Sequence, residues 1–128
     1  RHPFVEAGLT KNHIRRMSRR LELPFAELPA SPCLASRLYT GTPVTVKRLA
    51  VIEHGEEFLK QQTGIQVVRC RIKGDAMHVE VANEDRGKIM PALIGRLHDE
   101  IRAISPAIRK IFLDPRPYQP GRAFVLPQ

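Results

Sequence analysis

Val68-Arg69-Cys70-Arg71-Ile72-Lys73-Gly74-Asp75-Ala76-Met77-His78-Val79-Glu80-Val81 carries the most regular pattern in the chain. Apolar and polar residues alternate on both sides of Gly74-Asp75. Alternation of period two marks a half-buried strand, and a Gly-Asp pair between two such runs marks a hairpin turn. The hairpin is expected within about 65–82. A two-residue loop pairs Lys73 with Ala76, Arg71 with His78 and Arg69 with Glu80. Val68, Cys70, Ile72, Met77, Val79 and Val81 then share a core face, which makes Cys70 a packing residue. Arg69, Arg71, His78 and Glu80 share the other face, expected to be exposed. That face reads either as a solvated surface with cross-strand ion pairs or as an anion-binding platform beside a carboxylate.

Helices flank the hairpin. Upstream, Thr45 is placed to cap a helix over about 46–62, and Gly64 is placed to close it. Its apolar stripe is Leu49, Ile52, Phe58 and Leu59. Glu56 falls inside that stripe, and a carboxylate on an apolar face needs a partner. Nearer the start, Thr10 caps a helix over about 11–22 with Ile14, Met17 and Leu21 on one side. Arg15, Arg16, Arg19 and Arg20 lie on the other side, as a solvated basic face or a docking surface for an acidic partner. Residues 1–9 read as a loop. Downstream, Asn83-Glu84-Asp85 opens a helical segment, with acids where the helix dipole favours them. Pro91 restarts a helix over about 91–103, with Ile94, Leu97, Ile101 and Ile104 as its stripe. Ile108 to Leu113 reads as a third strand, and residues 114–128, with four prolines, read as irregular. The expected fold is α+β: a small sheet of the hairpin and the third strand, packed with three helices.

The chain has 128 residues, enough for one domain with a real core. Its formal net charge of +8 favours an anionic partner, and its arginines suit bidentate phosphate recognition. Trp is absent and aromatic residues make up 5% of the chain, which argues against a stacking platform for single-stranded nucleic acid. Two cysteines without metal-ligand spacing fit a reducing cytoplasm better than a disulfide framework. No apolar run is long enough to span a bilayer, and nothing reads as a signal peptide. The first residue is Arg1 rather than Met, which reads as a fragment or a processed product.

Between the first two long helices lies Ala30-Ser31-Pro32-Cys33-Leu34-Ala35-Ser36-Arg37. It brings a thiol, a hydroxyl and a guanidinium into one short run. Pro29 and Pro32 predict a stiff, extended loop. The plain alternative is a connector with a buried free cysteine.

Pro32-Cys33-Leu34-Ala35-Ser36-Arg37 followed by Gly41-Thr42-Pro43-Val44-Thr45 resembles the C-terminal part of the LarE-type PP-loop proteins. These are ATP-dependent sulfur transferases that build the nickel-pincer cofactor. Arg69-Cys70-Arg71-Ile72-Lys73-Gly74-Asp75, Val79-Glu80-Val81 and Glu56 are similar to that family too. The resemblance runs from about Glu6 to about Gly121 and covers the chain as the C-terminal catalytic part of such an enzyme. It implies that Cys33 is a sacrificial sulfur donor to an adenylated pyridinium carboxylate mononucleotide, leaving dehydroalanine. It implies a catalytic role for Glu56, phosphate binding by Ser36, Arg37, Arg69 and Arg71, and a divalent metal ion held by Glu80 and Asp85. Arginines near Cys33 would favour its thiolate. The family's Ser-Gly-Gly-x-Asp-Ser loop has no counterpart here, so ATP is expected to bind a separate PP-loop domain or subunit. Leu38-Tyr39-Thr40-Gly41 stands where the family has Pro-Tyr-Gly, and Tyr118-Gln119-Pro120-Gly121 only partly matches its Gly-Tyr-Arg-Ser-Gly. The expected partners are a phosphorylated small molecule and that ATP-binding domain. A homo-oligomer stays open, a membrane is not expected, and nucleic acid is disfavoured. The alternative is a non-enzymatic module of the same fold that binds phosphate or nucleic acid.

Overall fold

A computed structural model of the chain describes residues 2–28 and 33–119. The chain divides into two compact units, Arg1–Pro32 and Cys33–Gln128.

In the first unit the expected loop contains a short helix, α1, Pro3–Glu6, with Pro3 at its first turn. Proline suits that position because its missing N–H would have no helical partner. Helix α2 is Lys11–Arg20. Thr10 caps it by accepting from the His13 amide, and the His13 ring accepts from the Thr10 amide in return. The helix stops at Arg20, two residues short of the expected end, with Leu21 as its C-cap. Arg19 pairs with Glu27 on the returning chain. No residue of α2 is buried, so the stripe of Ile14 and Met17 is not a core face within it.

The second unit holds the sheet. Helix α3, Val46–Thr63, starts where Thr45 accepts from the Arg48 amide and stops at Gly64. Gly64 has φ +71°, a left-handed conformation that glycine adopts without strain. Strands β1, Val68–Lys73, and β2, Ala76–Val81, pair antiparallel from Val68↔Val81 to Lys73↔Ala76. Gly74 and Asp75 form the two-residue turn between them, so the register is the one the alternation predicts. A 3₁₀ segment, Asn83–Lys88, leads to helix α4, Pro91–Ile104, which has Pro91 in its first turn. Strand β3, Lys110–Leu113, then pairs parallel to β2 on the side away from β1. A parallel neighbour needs a crossover, and α4 supplies it. Ile108 lies before the strand and is buried in the core.

The six apolar hairpin residues are all closed to solvent. They join Ile52 and Leu59 of α3 and Leu97 and Ile101 of α4 in one core. Gly55 lets α3 approach β1 closely, since a Cβ there would lie 3.1 Å from the Cys70 sulfur. The fold is α+β, with four α-helices and two 3₁₀ segments among the described residues where three helices are expected. No helix among the described residues is long and apolar enough to cross a membrane.

Candidate functional site

Two-residue hairpin pairing leaves the backbone groups of Cys70 and Ile72 pointing away from β2, along the free edge of β1. An open edge of that kind invites pairing with other chains. Here it is covered from within the unit. The Tyr39 amide donates to the Ile72 carbonyl at 3.2 Å, and Leu38 bridges Ile72 in parallel register. The Cys70 amide donates to Oε1 of Glu56 at 3.1 Å. The segment from Cys33 to Tyr39 is thereby tied to the sheet.

The Cys33 stretch is not an extended loop throughout. Leu34–Arg37 forms a 3₁₀ turn with Cys33 as its N-cap, and the exposed Cys33 sulfur accepts from the Ala35 amide at 3.4 Å. Pro29 and Pro32, on which the expectation of stiffness rests, lie outside the described residues. The turn is local because the Ser36 amide donates back to the Cys33 carbonyl at 2.9 Å. Arg37 meets the same carbonyl through Nη1 at 3.4 Å and the Ser36 hydroxyl at 3.1 Å.

Beneath the turn lies a buried set of charges. Arg37 donates from Nε and Nη2 to the two oxygens of Glu56, at 2.9 and 3.2 Å. Arg71 donates from Nε to Glu80 at 2.9 Å and from Nη1 to the Ser36 carbonyl at 2.9 Å. Arg69 donates to the Val68 carbonyl at 2.8 Å, lies 3.9 Å from Glu56, and stacks over the Tyr118 ring. These side chains are nearly as closed to solvent as the apolar core: Arg37 is 3% exposed, Glu56 5%, Arg71 4% and Glu80 0%. The expectation of an exposed arginine face is therefore corrected. Arg69, Arg71 and Glu80 do share a face opposite Cys70, but it is covered: the Ser36 carbonyl of the segment along the β1 edge lies on Arg71, and the Tyr118 ring lies against Arg69. Burying lone guanidinium groups would be prohibitive, so carboxylates and carbonyls accompany them. No buried side-chain nitrogen or oxygen among the described residues lacks a hydrogen-bond partner.

Glu56 accordingly has its partner, Arg37, nineteen positions away. Its carboxylate also holds the Cys70 amide, so it fastens the turn to the strand edge. Asp85 lies in the 3₁₀ segment and pairs with Lys88 at 2.7 Å. Among the described residues no group of three or more His, Cys, Asp or Glu side chains converges. Glu80 is committed to a guanidinium and Asp85 to an ammonium, so this donor set does not fit a divalent ion.

A second pair, His78 with Asp114, has no counterpart in any local sequence pattern. His78 Nδ1 and Oδ2 of Asp114 lie 3.0 Å apart, and the Arg116 amide donates to Oδ1 at 2.9 Å. The Arg86 guanidinium holds the Asp114 carbonyl at 2.8 Å. The His78 ring packs 4.4 Å from Phe112 and 6.0 Å from Tyr39, centroid to centroid. Burial by itself raises the Asp114 carboxyl. Hydrogen bonds from the Arg116 amide, His78 and the Arg116 guanidinium outweigh that and hold it below the ordinary aspartate range. Asp114 in the sequence signals only the end of a strand, because its partner is thirty-six positions away.

The two thiols differ in kind. Cys33 is exposed and Cys70 buried. Burial pushes the Cys70 thiol well up, and the charge of Glu56 pushes it further, against smaller opposing effects of Arg37 and Lys60. The buried guanidinium of Arg37 reaches the Cys33 backbone carbonyl.

No protein-family model matches the chain. It is similar to an uncharacterized protein of Synechocystis, slr1717, with 33% identity over 84 residues. That match covers 66% of this chain and 31% of the relative, so the chain spans about a third of the relative's length.

Proposed function

We propose that this chain is the C-terminal part of a LarE-type sulfur transferase, with Cys33 as the sulfur donor. The observation that carries the reading is the contrast between an exposed thiol and the buried charges that fasten its turn. A sacrificial donor must reach a bulky activated acyl group, so its sulfur must be open. Its backbone must also be held while a covalent bond forms and another breaks. Arg37 and Arg71 do this by gripping the Cys33 and Ser36 carbonyls from buried ion pairs.

The chemistry runs in two steps. The Cys33 sulfur attacks the carbonyl of an adenylated pyridinium carboxylate mononucleotide, and adenylate leaves as a thioester forms. Loss of the Cα proton of Cys33 then forms Cα=Cβ, breaks Cβ–Sγ, and releases the sulfur on the substrate as a thiocarboxylate. ATP is consumed on a PP-loop domain or subunit that supplies the adenylate. Glu56 serves as a positioning residue. The resemblance places Ser36, Arg37, Arg69 and Arg71 at the phosphate; the three guanidinium groups are buried against carboxylates and carbonyls, so a phosphate reaches them only by displacing part of that network. Partial neutralisation favours a small phosphorylated ligand over a polyanion, because counterion release needs many open cations.

Supplying the ATP-binding domain, ATP and nicotinate mononucleotide, a simple pyridinium carboxylate mononucleotide, tests this. Mass spectrometry is expected to show loss of about 34 Da at Cys33, the departure of H2S from a thiol side chain. Sulfur transfer with Cys33 intact, or undiminished transfer by Cys33→Ala, overturns it. A phosphate-independent, sequence-dependent affinity for an oligonucleotide would favour the non-enzymatic alternative.

A further inference from the structure

Helix α2 stands without a core beneath it. Short isolated helices are marginal in water, and most helices in proteins owe their stability to a packed apolar face. None of the ten residues of α2 is buried, and among the described residues 2–28 only Ala26 is. The ends of α2 are closed by local bonds instead. Thr10 and His13 cap the first turn reciprocally. At the other end the Glu22 amide donates to the Arg19 carbonyl and the Leu23 amide to the Ser18 carbonyl, both at 3.0 Å. This is a Schellman closure, with Glu22 at φ +50° where glycine is usual. The helix is thus formed before anything covers it, and its apolar stripe is left open. Met17 is 49% exposed and Leu21 66%, and with Arg20 they line one shallow groove. Phe25 and Leu28, on either side of the Glu27 that pairs with Arg19, are exposed as well.

We infer that the Ile14–Met17–Leu21 face of α2 is the docking surface for the ATP-binding PP-loop domain, and that this domain meets it with an apolar groove rimmed by acids. The inference rests on the sulfur-donor reading, which requires such a domain, and assigns the surface that receives it. Charge sets the chemistry of the rim. At about 3.6 residues per turn, Arg20 falls on one flank of the stripe and Arg15 on the other. Arg19 is answered by Glu27 within the unit, whereas Arg20 makes no ion pair among the described residues. Cations on both flanks of an apolar stripe select a partner with carboxylates there and repel a basic one. The match to slr1717 takes up 31% of that protein, so polypeptide of more than twice the matched length accompanies it there, which is room for a further domain. A helix capped at both ends is already ordered, so docking costs little conformational entropy. A second copy of the chain fits less well, because it would set Arg15 and Arg20 against their own equivalents. A lipid surface also fits less well, because it draws on a strongly charged polar face, and Glu27 neutralises Arg19 on that face.

The test uses the chain and the PP-loop domain that supports conversion of Cys33. Met17→Gln with Leu21→Gln keeps good helix formers and removes the apolar stripe. The double variant is expected to bind the domain about 100-fold or more weakly, since burying each apolar side chain is worth about a factor of ten or more. Its helical circular dichroism is expected to match the wild type, because neither side chain is buried in the free chain. Arg15→Glu with Arg20→Glu is expected to weaken binding at low salt and to abolish the loss of affinity that added salt causes in the wild type. Peroxide is expected to oxidise Met17 readily in the free chain and slowly in the complex, while the exposed Met90 stays reactive in both. Undiminished affinity of the glutamine variant, or a Met17 as reactive in the complex as in the free chain, overturns the inference and leaves the sulfur-donor reading standing. So does a Met17 already protected in the free chain, which would mean that the chain covers this face itself. Binding to phosphatidylserine vesicles, or dimerisation, that is lost in the glutamine variant would assign the face to a lipid surface or to a second copy and overturns the inference as well. A wild-type chain that forms no Cys33 adduct with any PP-loop domain, ATP and nicotinate mononucleotide removes the sulfur-donor reading and this partner with it.

Discussion

One face of the β1–β2 hairpin is Val68, Cys70, Ile72, Met77, Val79 and Val81, closed off by the helices that pack on it. The other carries Arg69, Arg71 and Glu80, closed off almost as completely, with Glu56 and the Cys33–Tyr39 segment against it. The two faces reach the same burial by opposite routes. Each apolar side chain removed from water contributes free energy in proportion to its area, and any well-packed neighbour serves. A buried guanidinium is tolerated only with a specific partner, so it stabilises little on balance but dictates where that partner lies. The apolar face holds the sheet to its helices. The charged face holds the Cys33 turn to the sheet.

The largest effect that separates these roles comes from removing one charge. Glu80→Ala leaves Arg71 buried without its carboxylate, and a loss of about 3–5 kcal/mol is expected in urea unfolding. Replacing both partners, Arg71→Met with Glu80→Leu, is expected to recover most of that loss, because no orphan charge remains. The double variant also removes the donor to the Ser36 carbonyl, so stability should return without restoring sulfur transfer. A double variant as unstable as Glu80→Ala would mean that the charged face is a source of net stability, and the division of roles would collapse.

The same division explains what was legible in the sequence. Alternation around Gly74-Asp75 contains the whole register of the hairpin, because side-chain direction and a two-residue turn are local properties. Thr45, Gly64 and Pro91 mark helix ends for equally local reasons, the first and last unpaired backbone groups of each helix. The placement of β3 beside β2, the roof over Arg71 and the pairing of His78 with Asp114 depend on residues far apart in the chain, and no local pattern carries them. Glu56 is the instructive intermediate. An acid in an apolar stripe announces that a cation is needed, yet nothing in the sequence singles out Arg37 over the other arginines. The exposure expected for Arg69 and Arg71 fails for the same reason: alternation tells which face a residue takes and is silent on what covers that face. Pro3, read as part of a loop, starts a helical turn too short for periodicity to reveal.

A smaller effect probes the apolar face. A Cβ at Gly55 would sit 3.1 Å from the Cys70 sulfur, inside ordinary contact distance. In a helix interior alanine is favoured over glycine by about 1 kcal/mol, while overpacking costs about 1–3 kcal/mol. Gly55→Ala is expected to lower stability by up to about 2 kcal/mol in thermal melts, the difference between those ranges. In a Cys70→Ala background the sulfur is gone, and the same substitution is expected to be neutral or stabilising. Equal cost in both backgrounds would show that the close approach of α3 to β1 is not what selects glycine.

The smallest effect is a dependence on pH, and it has opposite signs on the two faces. Cys70 stays a thiol in the folded chain well past its ordinary range, chiefly because burial penalises its charge. Above about pH 8.5, the ordinary thiol pKa, the unfolded chain sheds that proton and the folded chain keeps it. The unfolded state then binds fewer protons, so stability falls as pH rises, by at most about 1.4 kcal/mol per pH unit for one group. Asp114 behaves in the reverse sense. The Arg116 amide, His78 and the Arg116 guanidinium outweigh the effect of its burial and hold its folded pKa below the ordinary value. Its contribution is present above about pH 3.9 and is lost as pH falls through the lowered folded value. Denaturation midpoints followed across pH are therefore expected to weaken at the alkaline end through Cys70, with the Tyr39 phenol, also raised by burial, adding its share above about pH 10, and at the acid end through Asp114 together with Glu27, which Arg19 holds low. Cys70→Ala should make only the alkaline limb shallower, and Asp114→Asn only the acid limb. An alkaline limb unchanged in Cys70→Ala would place its cause elsewhere, because a thiol closed off on the core face has no other means of resisting ionisation than the fold itself.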